Sequence, residues 1–180
     1  MSASASQALL LVDGYNIIGS WLGLQQTRDQ VGLDAARDEL KATLVDYTAV
    51  QGFDTEIIFD SHYQQSIGTC EAVTPNLSVR YTNFGQTADT YIEKVCAHFY
   101  HEWLKTHPRL IVATSDNAQR LTVIGYGAEC MSARQLAVDV ELMVTKTRRL
   151  QQQDGKSGRS RLFNSLSPSA KQRLQSLRFQ

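Results

Sequence analysis

Asp13, Asp60 and Asp116 each stand at the end of a short apolar run, in Leu9-Leu10-Leu11-Val12-Asp13, Ile57-Ile58-Phe59-Asp60 and Val112-Ala113-Thr114-Ser115-Asp116. If those runs are parallel strands, their carboxyl ends lie along one sheet edge, where open α/β sheets bind their ligands. Asp89 falls in the first turn of a predicted helix that opens at the same edge. Asn16, three residues after Asp13, can hydrogen-bond that carboxylate or a ligand. Carboxylates drawn together repel one another unless a cation neutralises them. Oxygen-only donors suit Mg²⁺ or Mn²⁺. Such an ion can polarise a phosphoryl oxygen and activate water for in-line attack. Each acid alone has a structural alternative, with Asp13, Asp89 and Asp116 as helix N-caps and Asp60 as a turn residue. The joint pattern predicts a metal site.

The elements that must position these residues follow from hydrophobic periodicity. Ala8–Val12 shows no alternation, so both of its faces are expected to be buried, as in a central strand of a parallel sheet. Gly14 gives the backbone freedom for a sharp turn after it. Leu33, Ala36, Leu40, Leu44 and Tyr47 recur at spacings of three or four, predicting an amphipathic helix over Leu33–Val50 closed by Gly52. Thr55–Asp60 reads as a second strand. Ser61–Asn76, polar and irregular with Gly68 and Pro75, reads as a loop. Leu77–Tyr81 alternates as a short strand. A helix is expected from Thr87 or Ala88 to about Lys105, with Ile92, Val95, Cys96, Phe99, Trp103 and Leu104 on its apolar stripe. Leu110–Thr114 is a buried strand, Asp116–Val123 a short helix, and Ala128–Met131 a last strand. Ser132 with Gln135 three residues later carries a capping-box signature for a helix running to about Leu150. Gln151–Ser160, polar with two glycines, reads as a linker, and Leu162–Phe179 as a weakly amphipathic basic segment. Strands alternating with helices predict an α/β domain with a mostly parallel sheet.

Composition narrows the class. A chain of 180 residues, 42% hydrophobic and 20% charged, supports one folded domain with a sizeable core and is not that of a disordered protein. No apolar run reaches the length of a membrane span. Residues 1–7 are small and polar and read as a flexible start, not a targeting segment. Cys70, Cys96 and Cys130 form no C-x-x-C pair, which predicts no disulfide framework and a reducing, cytoplasmic setting. The formal net charge of zero hides a division. Lys146–Gln180 carries +8 and the rest of the chain −8. A basic tail on an acidic body is suited to holding a negatively charged polymer near an acidic site.

Leu10-Leu11-Val12-Asp13-Gly14-Tyr15-Asn16-Ile17-Ile18 resembles the opening signature of the YacP-like branch of the NYN domains, relatives of the PIN-domain ribonucleases. The likeness continues through Leu33-Asp34-Ala35-Ala36-Arg37-Asp38-Glu39-Leu40 and Ile58-Phe59-Asp60, and is tightest in Gly85-Gln86-Thr87-Ala88-Asp89-Thr90-Tyr91-Ile92-Glu93-Lys94. It resumes in Val112-Ala113-Thr114-Ser115-Asp116 and Met131-Ser132-Ala133-Arg134-Gln135-Leu136. One order and spacing over Leu9–Leu150 is more specific than any single motif. Asn117 departs from the usual residue after Ser115-Asp116, and the tail after Leu150 lies beyond the motifs. The resemblance implies a PIN-like three-layer α/β/α sandwich over residues 8–150, a basic extension over 151–180, and a metal-dependent endoribonuclease. It implies Asp13, Asp89 and Asp116 as metal-binding catalytic acids, with Asp60 and Asn16 in support.

An open acidic edge suits a flexible single strand, such as mRNA, better than a stable duplex. Tyr15, His62 and Tyr63 lie near that edge and could stack on bases. Arg148, Arg149, Lys156, Arg159 and Arg161 supply the tail's field for phosphates. Glu93, one turn after Asp89, is a weaker metal-site candidate, and His98 and His101 lack a third soft ligand nearby in sequence. The competing class is an RNA- or ribosome-binding module of the same fold that does not cut. The sequence favours the nuclease because all four acids are present as Asp.

Overall fold

The computed structural model describes residues 6–61, 68–102 and 107–165. Twelve elements follow in order: β1 (Ala8–Asp13), α1 (Gly14–Ser20), α2 (Leu22–Gln30), α3 (Leu33–Gln51), β2 (Phe53–Phe59), β3 (Thr69–Thr74), β4 (Leu77–Tyr81), α4 (Ala88–Glu102), β5 (Leu110–Ala113), α5 (Asn117–Gly125), β6 (Glu129–Met131) and α6 (Ala133–Ser165). The chain groups into two compact units, Met1–Val140 and Glu141–Gln180. The sheet and the candidate site belong to the first.

The six strands lie in the order β3-β4-β2-β1-β5-β6, all parallel except the β3–β4 pair. β1 is central and buried along its whole length, as its unbroken apolar run demands. Leu11 pairs in register with Glu56 of β2 and Val112 of β5. Successive strand residues face opposite sides. Leu9, Leu11, Leu110 and Val112 therefore join Ile92, Val95, Cys96 and Phe99 of α4 and Val123 of α5 in one core cluster. Leu10, Val12 and Ile111 are equally buried on the other face, where α1 and α3 meet the sheet. The sheet is thus covered on both faces, as the α/β prediction requires. The apolar stripe of α3 is buried at Ala36, Leu40, Leu44 and Tyr47, and Gly52 closes that helix at φ 67°, a left-handed position that favours glycine.

Three expectations need correction. Thr69–Thr74, inside the predicted loop, is an antiparallel edge strand that hairpins onto β4 across Pro75-Asn76. Its first five residues are exposed, so no buried face marks it in the sequence. The predicted linker over Gln151–Ser160 is helical, being part of α6. Gln, Lys and Arg are good helix formers, and Gly155 and Gly158 cost only about 1 kcal/mol each. Gly14 has no positive φ and opens α1 directly, so its reason is not backbone freedom. A side chain there would meet the ring of Phe59.

Candidate active site

The order of the strands makes the site. From β1 the chain builds outward through β2 to β4, then α4 carries it back across to β5 on the other flank of β1. The carboxyl ends of β1 and β5 therefore diverge into a crevice at the point where the winding reverses, the place where such sheets bind ligands. Asp13 ends β1, and Thr114-Ser115-Asp116 follows β5. Asn16 spans the crevice: its Oδ1 accepts from the Ser115 backbone N–H at 2.7 Å, tying α1 to the segment after β5, 99 residues away in sequence.

Each acid is held by a helix start or a neighbour. Asp13 caps α1 by accepting from the Asn16 N–H at 3.1 Å. Asp116 caps α5, its Oδ1 accepting from the N–H groups of Ala118 at 2.7 Å and Gln119 at 3.0 Å. Asp60 accepts from the Ala88 N–H at the start of α4. Asp89, in the first turn of α4, accepts from Gln119 Nε2 at 2.5 Å. Asp13 and Asp116 thus do the capping work that was their structural alternative, Asp60 takes up the first N–H of α4, Asp89 caps no helix, and all four also share one field. Burial pushes the Asp13 carboxyl up to about 6; the Asn16 N–H pulls it down, while Asp89, Asp60 and Asp116 add to the rise. Asp89 is raised too, by burial first and then by Asp116, Asp60 and Glu93. Mutual repulsion at one edge is the electrostatic signature of a site that gains from a cation.

The donors are hard oxygens, which fits a divalent ion such as Mg²⁺. Among the described residues, no three His, Cys, Asp or Glu side chains stand close enough together to enclose one. An open arrangement is compatible with Mg²⁺, which is usually held by one or two carboxylates and keeps several waters.

Gln119 and Ser115 were missed as site residues in the sequence. Gln119 is 3% exposed and lines up with Val123 on the buried face of α5. Its signal was an amide at an apolar-face spacing three residues after Asp116. Ser115 Oγ accepts from the Ala133 N–H at 3.1 Å and anchors the start of α6 beside the crevice. The capping box of that helix is half formed. Ser132 Oγ accepts from the Gln135 N–H, but Gln135 Nε2 donates to Asp139 instead of reaching back.

Of the proposed RNA contacts, Tyr15 is half-buried, with its ring tilted against Phe59 at 5.0 Å and the Arg37 guanidinium 5.2 Å from its centroid. Arg148 and Arg149 are exposed on α6, and Lys156, Arg159 and Arg161 lie further along that helix. His62 and Tyr63 lie outside the described residues. His98 contacts the Lys94 carbonyl through Nδ1 at 2.7 Å.

The field at Asp13 has a measurable consequence. Its carboxyl titrates near 6 in the fold against an ordinary 3.8, so ionisation there opposes folding. The penalty is absent below the ordinary value and complete above the folded one, reaching about 3 kcal/mol. Asp13→Asn keeps an oxygen to cap α1 and removes the charge. In EDTA, its unfolding midpoint should match the parent's near pH 4 and exceed it increasingly up to pH 7. A pH-independent difference between the two would show that Asp13 carries no such burden.

The YacP-like NYN domain model matches residues 10–179. The match runs past Leu150 into the basic tail. The uncharacterized protein YacP of Bacillus subtilis (strain 168) is 31% identical over 141 residues, covering 78% of this chain and 79% of that protein. The crystal structure of Rae1 (YacP) from Bacillus subtilis aligns with a TM-score of 0.67 at 26% identity, over 94% of this chain and 92% of that one. A tryptophan-to-leucine mutant of Rae1 aligns with the same score over 99% of its chain. By motif order, by sequence and by fold, the chain belongs to the YacP-like NYN domain family.

Proposed function

We propose that this protein is a metal-dependent endoribonuclease acting on single-stranded RNA, with Asp13, Asp89 and Asp116 holding Mg²⁺ or Mn²⁺ and Asp60 and Asn16 in support. The observation that carries the reading is a set of four carboxylates at one sheet edge, where burial raises Asp13 to about 6 and Asp89, Asp60 and Asp116 add to the rise. A divalent ion there would relieve the repulsion. When bound, it supplies Lewis acidity toward a phosphoryl oxygen and lowers the pKa of a water. The chain's own residues fix the frame. Asn16 holds the two strand ends at one spacing, the caps of α1, α4 and α5 fix three of the acids, and Gln119 holds the fourth. A flexible strand can bend its phosphate into an open edge. The basic extension from Lys146 onward, with Arg148, Arg149, Lys156, Arg159 and Arg161, supplies attraction that weakens as salt rises. Tyr15, His62 and Tyr63 are the proposed base contacts, and a reducing cytoplasm the proposed setting.

One observation favours the competing reading. Asp13, Asp60 and Asp116 all cap helices, so the acids would be useful to an RNA- or ribosome-binding module that does not cut. An end-labelled RNA containing a stable hairpin with a single-stranded loop separates the two. The nuclease cuts the loop in Mn²⁺ or Mg²⁺, spares the stem, and stops in EDTA. Binding without cleavage in either metal supports the module, and equal cutting of stem and loop overturns the single-strand preference.

A further inference from the structure

We propose that Gln119 is a positioning residue that holds the Asp89 carboxylate in one orientation for a divalent ion. The inference rests on the reading of the aspartates as a metal site and adds a residue to it. Gln119 is 3% exposed, and its Nε2 donates to Asp89 Oδ1 at 2.5 Å. The opposite amide orientation would set two oxygens against each other, so the chemistry of Asp89 fixes which end is the donor. The other end, Oε1, is buried with no hydrogen-bond partner. A buried acceptor left unpaired costs stability. An apolar side chain of similar volume would avoid that cost in a face otherwise occupied by Val123. What the amide supplies in return is one charge-assisted bond that fixes the Asp89 carboxylate. The bond occupies one Asp89 oxygen and leaves Oδ2 for an ion. Gln119 also joins two acids through one residue, because its own N–H donates to Asp116. A ligand carboxylate held by a buried neighbour is the usual device by which proteins orient metal ligands.

The test is Mn²⁺ binding to metal-free protein, followed by calorimetry or by the EPR signal of free Mn²⁺, together with thermal unfolding in EDTA. Gln119→Leu should weaken Mn²⁺ binding about ten- to hundredfold while the unfolding midpoint in EDTA stays level or rises. Asp89→Asn, measured alongside, should also weaken Mn²⁺ binding. Parent-like binding in Gln119→Leu with weakened binding in Asp89→Asn overturns the positioning role and leaves the metal site standing. Parent-like binding in Asp89→Asn fails the metal-site reading and the positioning role with it. A fall in the unfolding midpoint that accompanies the loss of Mn²⁺ assigns the amide to packing and overturns the proposal. If Gln119→Leu does not fold, Gln119→Met takes its place under the same criteria.

Discussion

Asp89→Asn should lower RNA cleavage on the order of a hundredfold or more while leaving the fold as stable as the parent. Asp89 is the acid at which charge and structure separate most cleanly. Asp13, Asp60 and Asp116 each accept a backbone N–H at the start of a helix, so alanine at Asp116 removes a cap worth about 1 kcal/mol together with the charge. The bond of Asp89 is to the Gln119 side chain, and asparagine keeps an oxygen for it. The substitution deletes one negative charge from a cluster that repels itself, and so removes part of what raises Asp13. Initial rates on single-stranded RNA in Mn²⁺, with unfolding in EDTA beside them, read the two effects separately. Cleavage at the parent rate would move the catalytic site away from this edge of the sheet.

Gly14→Ala should destabilise the fold by about 3 kcal/mol or more, by overpacking, out of a total of about 5–15 kcal/mol typical of a domain. A Cβ at Gly14 would lie 2.2 Å from one ring carbon of Phe59, and 2.6 and 2.8 Å from two others. The ring cannot step aside. Phe59 is fully buried, stacked on Tyr81 at 5.7 Å, tilted on Tyr15 at 5.0 Å, and faced by the Arg37 guanidinium at 5.6 Å. Arg37 itself donates to Tyr15 Oη and pairs with Asp34, so the aromatic group is braced from α3. The strain falls next to Asp13, so Gly14→Ala should also lower cleavage beyond the loss of folded protein. Thermal unfolding of Gly14→Ala, Phe59→Leu and the double variant measures the contact. If Phe59 is the obstacle, the two changes together destabilise less than their sum. Additive effects would place the cost elsewhere.

What could be read before folding was local. The unbroken run into Asp13, the spacing of Leu40, Leu44 and Tyr47, the left-handed glycine at Gly52 and the Ser132 cap are all set by neighbours within a few residues. Three acids at or within three residues of strand ends were visible for the same reason, because a strand end fixes where the residues just after it sit. The edge strand Thr69–Thr74 was not visible, since an exposed strand has no buried face to leave a pattern. The helix over Gln151–Ser160 was misread because polar composition is shared by linkers and solvated helices.

The tertiary structure decided what depends on distant partners. Only the sheet order sets β5 beside β1, so that Asn16 can reach Ser115. Only packing brings α5 against α4, so that Gln119 reaches Asp89. The demand for glycine at position 14 comes from the Phe59 ring, 45 positions further along the chain, and not from the turn the sequence suggested. The elevated Asp13 carboxyl is likewise a property of the assembled edge, since burial and three other aspartates raise it together. Periodicity states which face of an element must be buried. It does not state what lies across from that face, and the chemistry of this edge resides in those pairings.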